Sequence, residues 1–170
     1  MMAHIPFLLS DDRSYAELHL VRSNPIARML KAEPLLARIA VSGPHSYISP
    51  DWYNVPDQVP TWNYVAVQFW GQLELLEQDH LGGILDRLSA HFENQLAPKA
   101  PWKTSKMTPD VLERMKRQIV PIKLSVAGVD GTWKLNQNKD DPVRLHAADA
   151  VECNGIGTER EALAAYMREA

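Results

Sequence analysis

The sequence predicts a mainly β or α+β protein built on a small antiparallel barrel, and three observations carry that prediction. Six or so segments have strand character, and short helices are inserted among them without a regular strand-helix-strand alternation. Asp130-Gly131 stands between two apolar runs as a two-residue hairpin signal. A doubly wound parallel sheet would need the alternation that is missing.

The elements follow in order. Ala3 to Leu9 reads as a strand ended by the turn Ser10-Asp11-Asp12-Arg13, and Tyr15 to Val21 as its hairpin partner. Asn24-Pro25 is a cap residue followed by proline at the first helical position, which opens a short helix through about Lys31. Leu35 to Val41 is a third strand, and Gly43-Pro44 begins a long aromatic loop. From Trp62 to Leu76 the chain alternates with both faces largely apolar, the pattern of a central strand. Asp79 caps a helix whose Leu81, Leu85, Leu88, Phe92 and Leu96 fall at three- and four-residue steps. Thr108-Pro109 opens another. Pro121 to Val129 and Thr132 to Asn136 are strands joined through Asp130-Gly131, with Pro121 arguing for an edge position or a bulge. Asp140 to Gly157 reads as loosely ordered, and Thr158-Glu159-Arg160-Glu161 as a capping box before a C-terminal helix. The expected organisation is one domain over residues 1–138 with an extension, 139–170, packed on it.

At 170 residues the chain is long enough to bury a core without disulfides, and Cys153 is its only cysteine, which excludes multi-cysteine metal motifs. No apolar stretch approaches the roughly 20 residues that span a bilayer, and the start lacks a basic leader, so the expectation is a cytoplasmic protein with no membrane partner. A net charge of −3 argues against a wholly basic nucleic-acid binder. Between Lys99 and Lys123, however, seven cations stand against only Asp110 and Glu113, the one stretch suited to phosphates. A solvated helix face reads the same way.

Familiar catalytic motifs are absent: no Gly-x-Ser-x-Gly elbow, no phosphate loop, no Gly-x-Gly-x-x-Gly, and no zinc spacing among the six histidines. What the sequence offers is binding chemistry. Three of five tryptophans and three of five tyrosines lie between Tyr47 and Trp70, interleaved with prolines. Flat rings and stiff backbone suit a planar ligand, and equally suit a loop pinned to its core. Arg22 and Ser23, ahead of the Asn24-Pro25 helix start, offer a phosphate a guanidinium, a hydroxyl and free N–H groups, with His19 three residues upstream. Surface charge and plain capping are the alternatives. Trp133-Lys134-Leu135-Asn136-Gln137-Asn138 supplies donors and acceptors for a heterocycle's edge, or merely turn residues.

Five ordered motifs carry a resemblance. Ala3-His4-Ile5-Pro6, His19 to Pro25, Ser42-Gly43-Pro44-His45-Ser46-Tyr47-Ile48-Ser49-Pro50-Asp51-Trp52-Tyr53, Val59-Pro60-Thr61-Trp62-Asn63-Tyr64 and Trp133 to Asn138 resemble the PaiB-type FMN-binding negative transcriptional regulators. The resemblance implies an FMN-binding split β-barrel of the pyridoxamine-phosphate oxidase type with peripheral helices. Members carry an N-terminal helix and first strand before the segment that matches Ala3, and the expectation from the resemblance is a barrel without them. It implies a homodimer with FMN between subunits, the phosphate near His19, Arg22 and Asn24, the ring near Trp62 and Asn63, and closure by Lys134, Gln137 and Asn138. DNA is a possible partner, although no helix-turn-helix is evident. An FMN-dependent oxidoreductase using a nicotinamide donor, with His45 and Tyr47 as proton-donor candidates, and a cofactor-free dimeric barrel are the alternative functions.

Overall fold

The computed structural model describes all of residues 1–170. Its six strands are β1 (Phe7–Leu9), β2 (Tyr15–Val21), β3 (Leu35–Ile48), β4 (Thr61–Leu75), β5 (Ile119–Lys134) and β6 (Gly157–Thr158). They form one sheet in the order β1-β2-β5-β4-β3-β6. The helices are α1 (Pro25–Met29), α2 (His80–Glu93), α3 (Pro109–Lys116), α4 (Asp141–Asn154) and α5 (Arg160–Glu169). The antiparallel, helix-decorated architecture expected from the sequence is borne out. The chain divides into two compact units: residues 1–38 with 70–128, and residues 39–69 with 129–170.

In the first unit β2 pairs antiparallel with β1 (Phe7↔Leu18) and with β5 (Leu18↔Ile122). Even-numbered Ala16, Leu18 and Leu20 are buried, and so are Val120, Ile122 and Leu124, their register partners on β5. Period-2 burial of this kind holds the register, because a one-residue slip would turn every apolar side chain outward. Pro121 is not at an edge, contrary to expectation: it is fully buried in β5, between β2 and β4 in the sheet order. The reason is local. Its carbonyl still accepts from the Leu76 N–H (3.0 Å), one residue past the end of β4, so the missing proline N–H falls where that ladder runs out.

Asn24 caps α1 as expected, its Oδ1 accepting from the Ile26 N–H at 2.8 Å, with Pro25 at the first helical position. α2 forms where its stripe predicts it, but Asp79 makes no capping bond and the buried stripe is Leu81, Ile84 and Leu88. Gly71 explains a close approach: a Cβ there would lie 1.7 Å from the Ser125 carbonyl oxygen, so β4 meets β5 at a point only glycine allows.

In the second unit four further expectations are corrected. β3 does not stop at Val41; it runs through Gly43-Pro44 to Ile48, with Pro44, Ser46 and Ile48 buried at alternate positions. Asp130-Gly131 is not a hairpin turn. β5 is continuous across it, because the Trp133 ring lies on Gly131, where a Cβ would come within 2.1 Å of Cζ3. The segment read as loosely ordered forms α4, opened by Asp140-Asp141-Pro142 and burying Ala147, Ala148 and Val151. Thr158 pairs in β6 instead of capping α5; the cap position is Glu159, at φ 50° and without a side-chain bond. Helices α4 and α5 pack together and onto Ile48, Tyr53, Val65 and Leu135, so that Leu163, Ala164 and Met167 are fully buried. Buried Arg144 ties the pair, its Nε donating to the Met167 carbonyl at 2.8 Å among the last carbonyls of α5.

Candidate functional site

Strand alternation builds an aromatic face in the second unit. On β4, Asn63 and Val65 turn into the core, so Trp62 and Tyr64 face solvent; Trp62 is 44% exposed. On β3, His45 and Tyr47 alternate with buried Ser46 and Ile48 and stand beside Trp62. Both ring centroids lie 6.0 Å from that of the indole, His45 tilted at 43° and Tyr47 edge-on at 73°. Such contacts fix an indole while leaving a face free for stacking. His45 is itself held, its Nδ1 lying 3.2 Å from the Gly43 carbonyl oxygen and 3.2 Å from the Thr158 hydroxyl.

The segment leading to Trp62 is tethered to the turn after β5, so two of the motifs read separately in the sequence meet. Tyr53 donates from its hydroxyl to Asn136 Oδ1 at 3.3 Å, and burial pushes that phenol up, opposed by the Asn136 bond. Lys139 donates to Gln58 Oε1 and lies 5.1 Å above the Tyr53 ring, while Lys134 donates to Thr61 Oγ1. Gln137 folds back on its own turn, accepting from the Leu135 N–H at 2.8 Å and donating to the Trp133 carbonyl at 2.6 Å. Asn136 adopts φ 66°, the left-handed region that asparagine tolerates, and Asn138 is exposed.

Asn63, expected beside the ligand ring, points the other way. It is 0% exposed, its Nδ2 donates to Met167 Sδ at 3.4 Å, and its Oδ1 has no partner. Two consecutive strand residues cannot share a face.

The first unit carries His19, Arg22 and Asn24. Arg22 donates from Nε to the Arg117 carbonyl (2.9 Å) and from Nη2 to Gln78 Oε1 (2.8 Å) and the Ile119 carbonyl (3.2 Å). Gln78 in turn donates to the Lys116 and Ile119 carbonyls. This knot satisfies the carbonyls at the end of α3, and leaves the guanidinium one nitrogen, Nη1, for an anion. His19 is half-buried with Nδ1 enclosed and unpartnered, and desolvation lowers its pKa, which favours the neutral ring. Asn24 is engaged as the α1 cap, with Nδ2 remaining. In the basic stretch, Lys99 pairs with Glu93, Lys116 with Glu113 and Lys123 with Glu74. Lys103, Lys106, Arg114 and Arg117 make no ion pair.

Sequence reasoning missed Thr158 and the Tyr53–Asn136 tether. The first has no local signal, since only the β6 pairing brings it to His45. No helix is long and apolar enough to cross a membrane.

A six-stranded antiparallel sheet with an aromatic face of this kind belongs to the class of split-barrel proteins. The FAD and heme binding protein from Mycobacterium smegmatis superposes over 90% of this chain with a TM-score of 0.52 and 16% identity; the chain spans 65% of that protein's length, and the likeness is one of fold. The model of the family described as "Putative FMN-binding domain" matches residues 1–128, and the chain belongs to that family. It is 35% identical over 152 residues to protease synthase and sporulation protein PAI 2 of Bacillus subtilis (strain 168), covering 88% of this chain and 71% of that one. It is 26% identical over 203 residues to an uncharacterised Aspergillus fumigatus protein, covering 92% of this chain and 77% of that one. The PaiB-type resemblance read from the five motifs is borne out, and FMN is the family's cofactor.

Proposed function

We propose that this chain is an FMN-binding negative transcriptional regulator of the PaiB type, acting in the cytoplasm as a homodimer with FMN held between subunits. The observation that carries the reading is the exposed Trp62 indole braced by His45 and Tyr47, on a chain of the FMN-binding family. When bound, FMN supplies a redox-active ring system. The residues present fit it unevenly. Trp62 gives the ring a stacking face, with Lys134 at the end of β5 and Gln137 and Asn138 on the tethered turn after it, whereas Asn63 supports that face from inside. Arg22 Nη1 and Asn24 Nδ2 are the groups left for the phosphate, and half-buried His19 contributes shape more than charge. Residues 1–138 form the binding domain, and the extension 139–170 packs on it.

Titration of FMN into the purified protein, read by quenching of flavin fluorescence, tests the binding. Quenching in the wild type that is weakened about ten-fold or more in Trp62→Ala supports it, on the scale of stacked aromatic contacts; a flavin that stays fluorescent and dialyses away removes it. The regulatory part is read on duplex DNA from the protein's own upstream region. Lys103, Lys106, Arg114 and Arg117 are the unpaired cations for its phosphates, and Arg114→Glu with Arg117→Glu should weaken a salt-sensitive affinity. Binding that ignores salt and both substitutions excludes this surface.

A further inference from the structure

His45 stands at the rim of the Trp62 indole with one ring nitrogen already committed. Its Nδ1 lies 3.2 Å from the Gly43 carbonyl oxygen and 3.2 Å from Thr158 Oγ1. A carbonyl oxygen only accepts, so a hydrogen bond to Gly43 requires the ring proton on Nδ1; the Thr158 hydroxyl, able to donate or accept, then serves as a second acceptor of that proton. A neutral imidazole has one such proton. In that neutral tautomer Nε2 carries the lone pair, and it makes no hydrogen bond within the protein. The arrangement is built in two places: β3 brings Gly43 and His45, and β6 brings Thr158 directly opposite His45, backed by the Tyr47 N–H donating to the Ile156 carbonyl at 3.2 Å.

We infer that His45 Nε2 is an acceptor through which the aromatic face selects planar heterocycles bearing an imide N–H, the N3–H of a flavin being that group. The Gly43 carbonyl is the positioning group that holds the tautomer, and Thr158 only shares its proton. This rests on the flavin reading above and adds to it the atom that reads the ring's edge. The edge of an oxidised isoalloxazine is rich in acceptors and carries one N–H donor, at N3. A histidine locked as an acceptor can bond only that donor, whereas the opposite tautomer would bond the ring carbonyls. A site built to receive an N–H discriminates against an analogue that lacks it, because its own polar atom is left unpaired.

Two measurements test this. In the ligand-free protein, long-range proton–nitrogen NMR, with the His45 signals identified by their loss in His45→Phe, should show the Nδ1–H tautomer, also in Thr158→Val. The Nε2–H tautomer would overturn the inference. In fluorescence titrations the wild type should bind N3-methyl-FMN about ten-fold more weakly than FMN, the cost of one unmade hydrogen bond. His45→Phe should bind the two alike, at about the weaker value. Equal affinity of the wild type for both flavins, or the same discrimination in His45→Phe, overturns the inference while leaving the flavin reading intact. No quenching by FMN itself overturns the flavin reading, and with it the ligand assigned to His45.

Discussion

Replacing Arg22 separates two roles that one guanidinium can combine. Its three hydrogen bonds, at 2.9, 2.8 and 3.2 Å, end α3 and fasten Gln78 against the start of β5. Charge-assisted bonds are worth about 1.5–3 kcal/mol each when shielded, but this side chain is exposed and water competes for every donor. Arg22→Ala should therefore lose about 1–2 kcal/mol of unfolding free energy, the scale of a lost helix cap. Urea unfolding, with the slope unchanged, measures it. Arg22→Lys loses the planar fork but keeps a cation, so it should be destabilised almost as much. Flavin binding should part the two variants. A lysine still meets a phosphate as a point charge and should keep FMN affinity within a few-fold, whereas the alanine variant should lose about ten-fold or more. If Arg22→Ala stays within the ±0.5 kcal/mol typical of ordinary surface changes, the carbonyl knot does not hold α3. If its FMN affinity is also unchanged, the phosphate lies elsewhere.

Three further outcomes are expected. Gly71→Ala forces a methyl into the Ser125 carbonyl and should cost about 2–4 kcal/mol by chemical denaturation, with a loss near 0.5 kcal/mol contradicting the close approach of β4 and β5. Leu163→Ala empties a fully buried site between α5 and the second unit's core and should cost about 2–5 kcal/mol, read the same way; a surface-like loss would mean the helix pair is not docked. His19 has its pKa lowered by burial, so the fold prefers the neutral ring while the unfolded chain protonates near pH 6.5. Its contribution is complete above that pH and declines as pH falls below it toward the folded value. Stability measured from pH 7.5 down to 5 should thus fall less steeply in His19→Phe than in the wild type; equal slopes would refute the burial effect.

Features that depend on neighbours in sequence were legible, and those that depend on packing were not. Asn24-Pro25 and Thr108-Pro109 mark helix starts because proline fits the first turn whatever surrounds it. The alternation of β2 and β4 is likewise local. Asp130-Gly131 misled because the same dipeptide serves a straight strand when a neighbouring indole needs room over the glycine. Gly43-Pro44 reads as an end, yet β3 continues because Pro44, Ser46 and Ile48 find burial. Helix α4 was hidden by alanines whose small side chains matter only once α5 lies against them. Within the site, Trp62 and the turn carrying Lys134 and Gln137 were visible as motifs, and their tethers join the two. The inward turn of Asn63 was also readable, since adjacent strand residues face opposite sides.

Six of the ten residues in the second unit's core cluster lie beyond Lys139, Met167 among them. During synthesis the first unit can begin to compact while the ribosome is still translating, but β3 and the start of β4 carry an uncovered apolar side until the last turn of α5 emerges. A nascent chain stalled before α4 and α5 would present Ile48, Tyr53 and Val65 to chaperones, so emergence of these two helices serves as a checkpoint on the second unit's assembly.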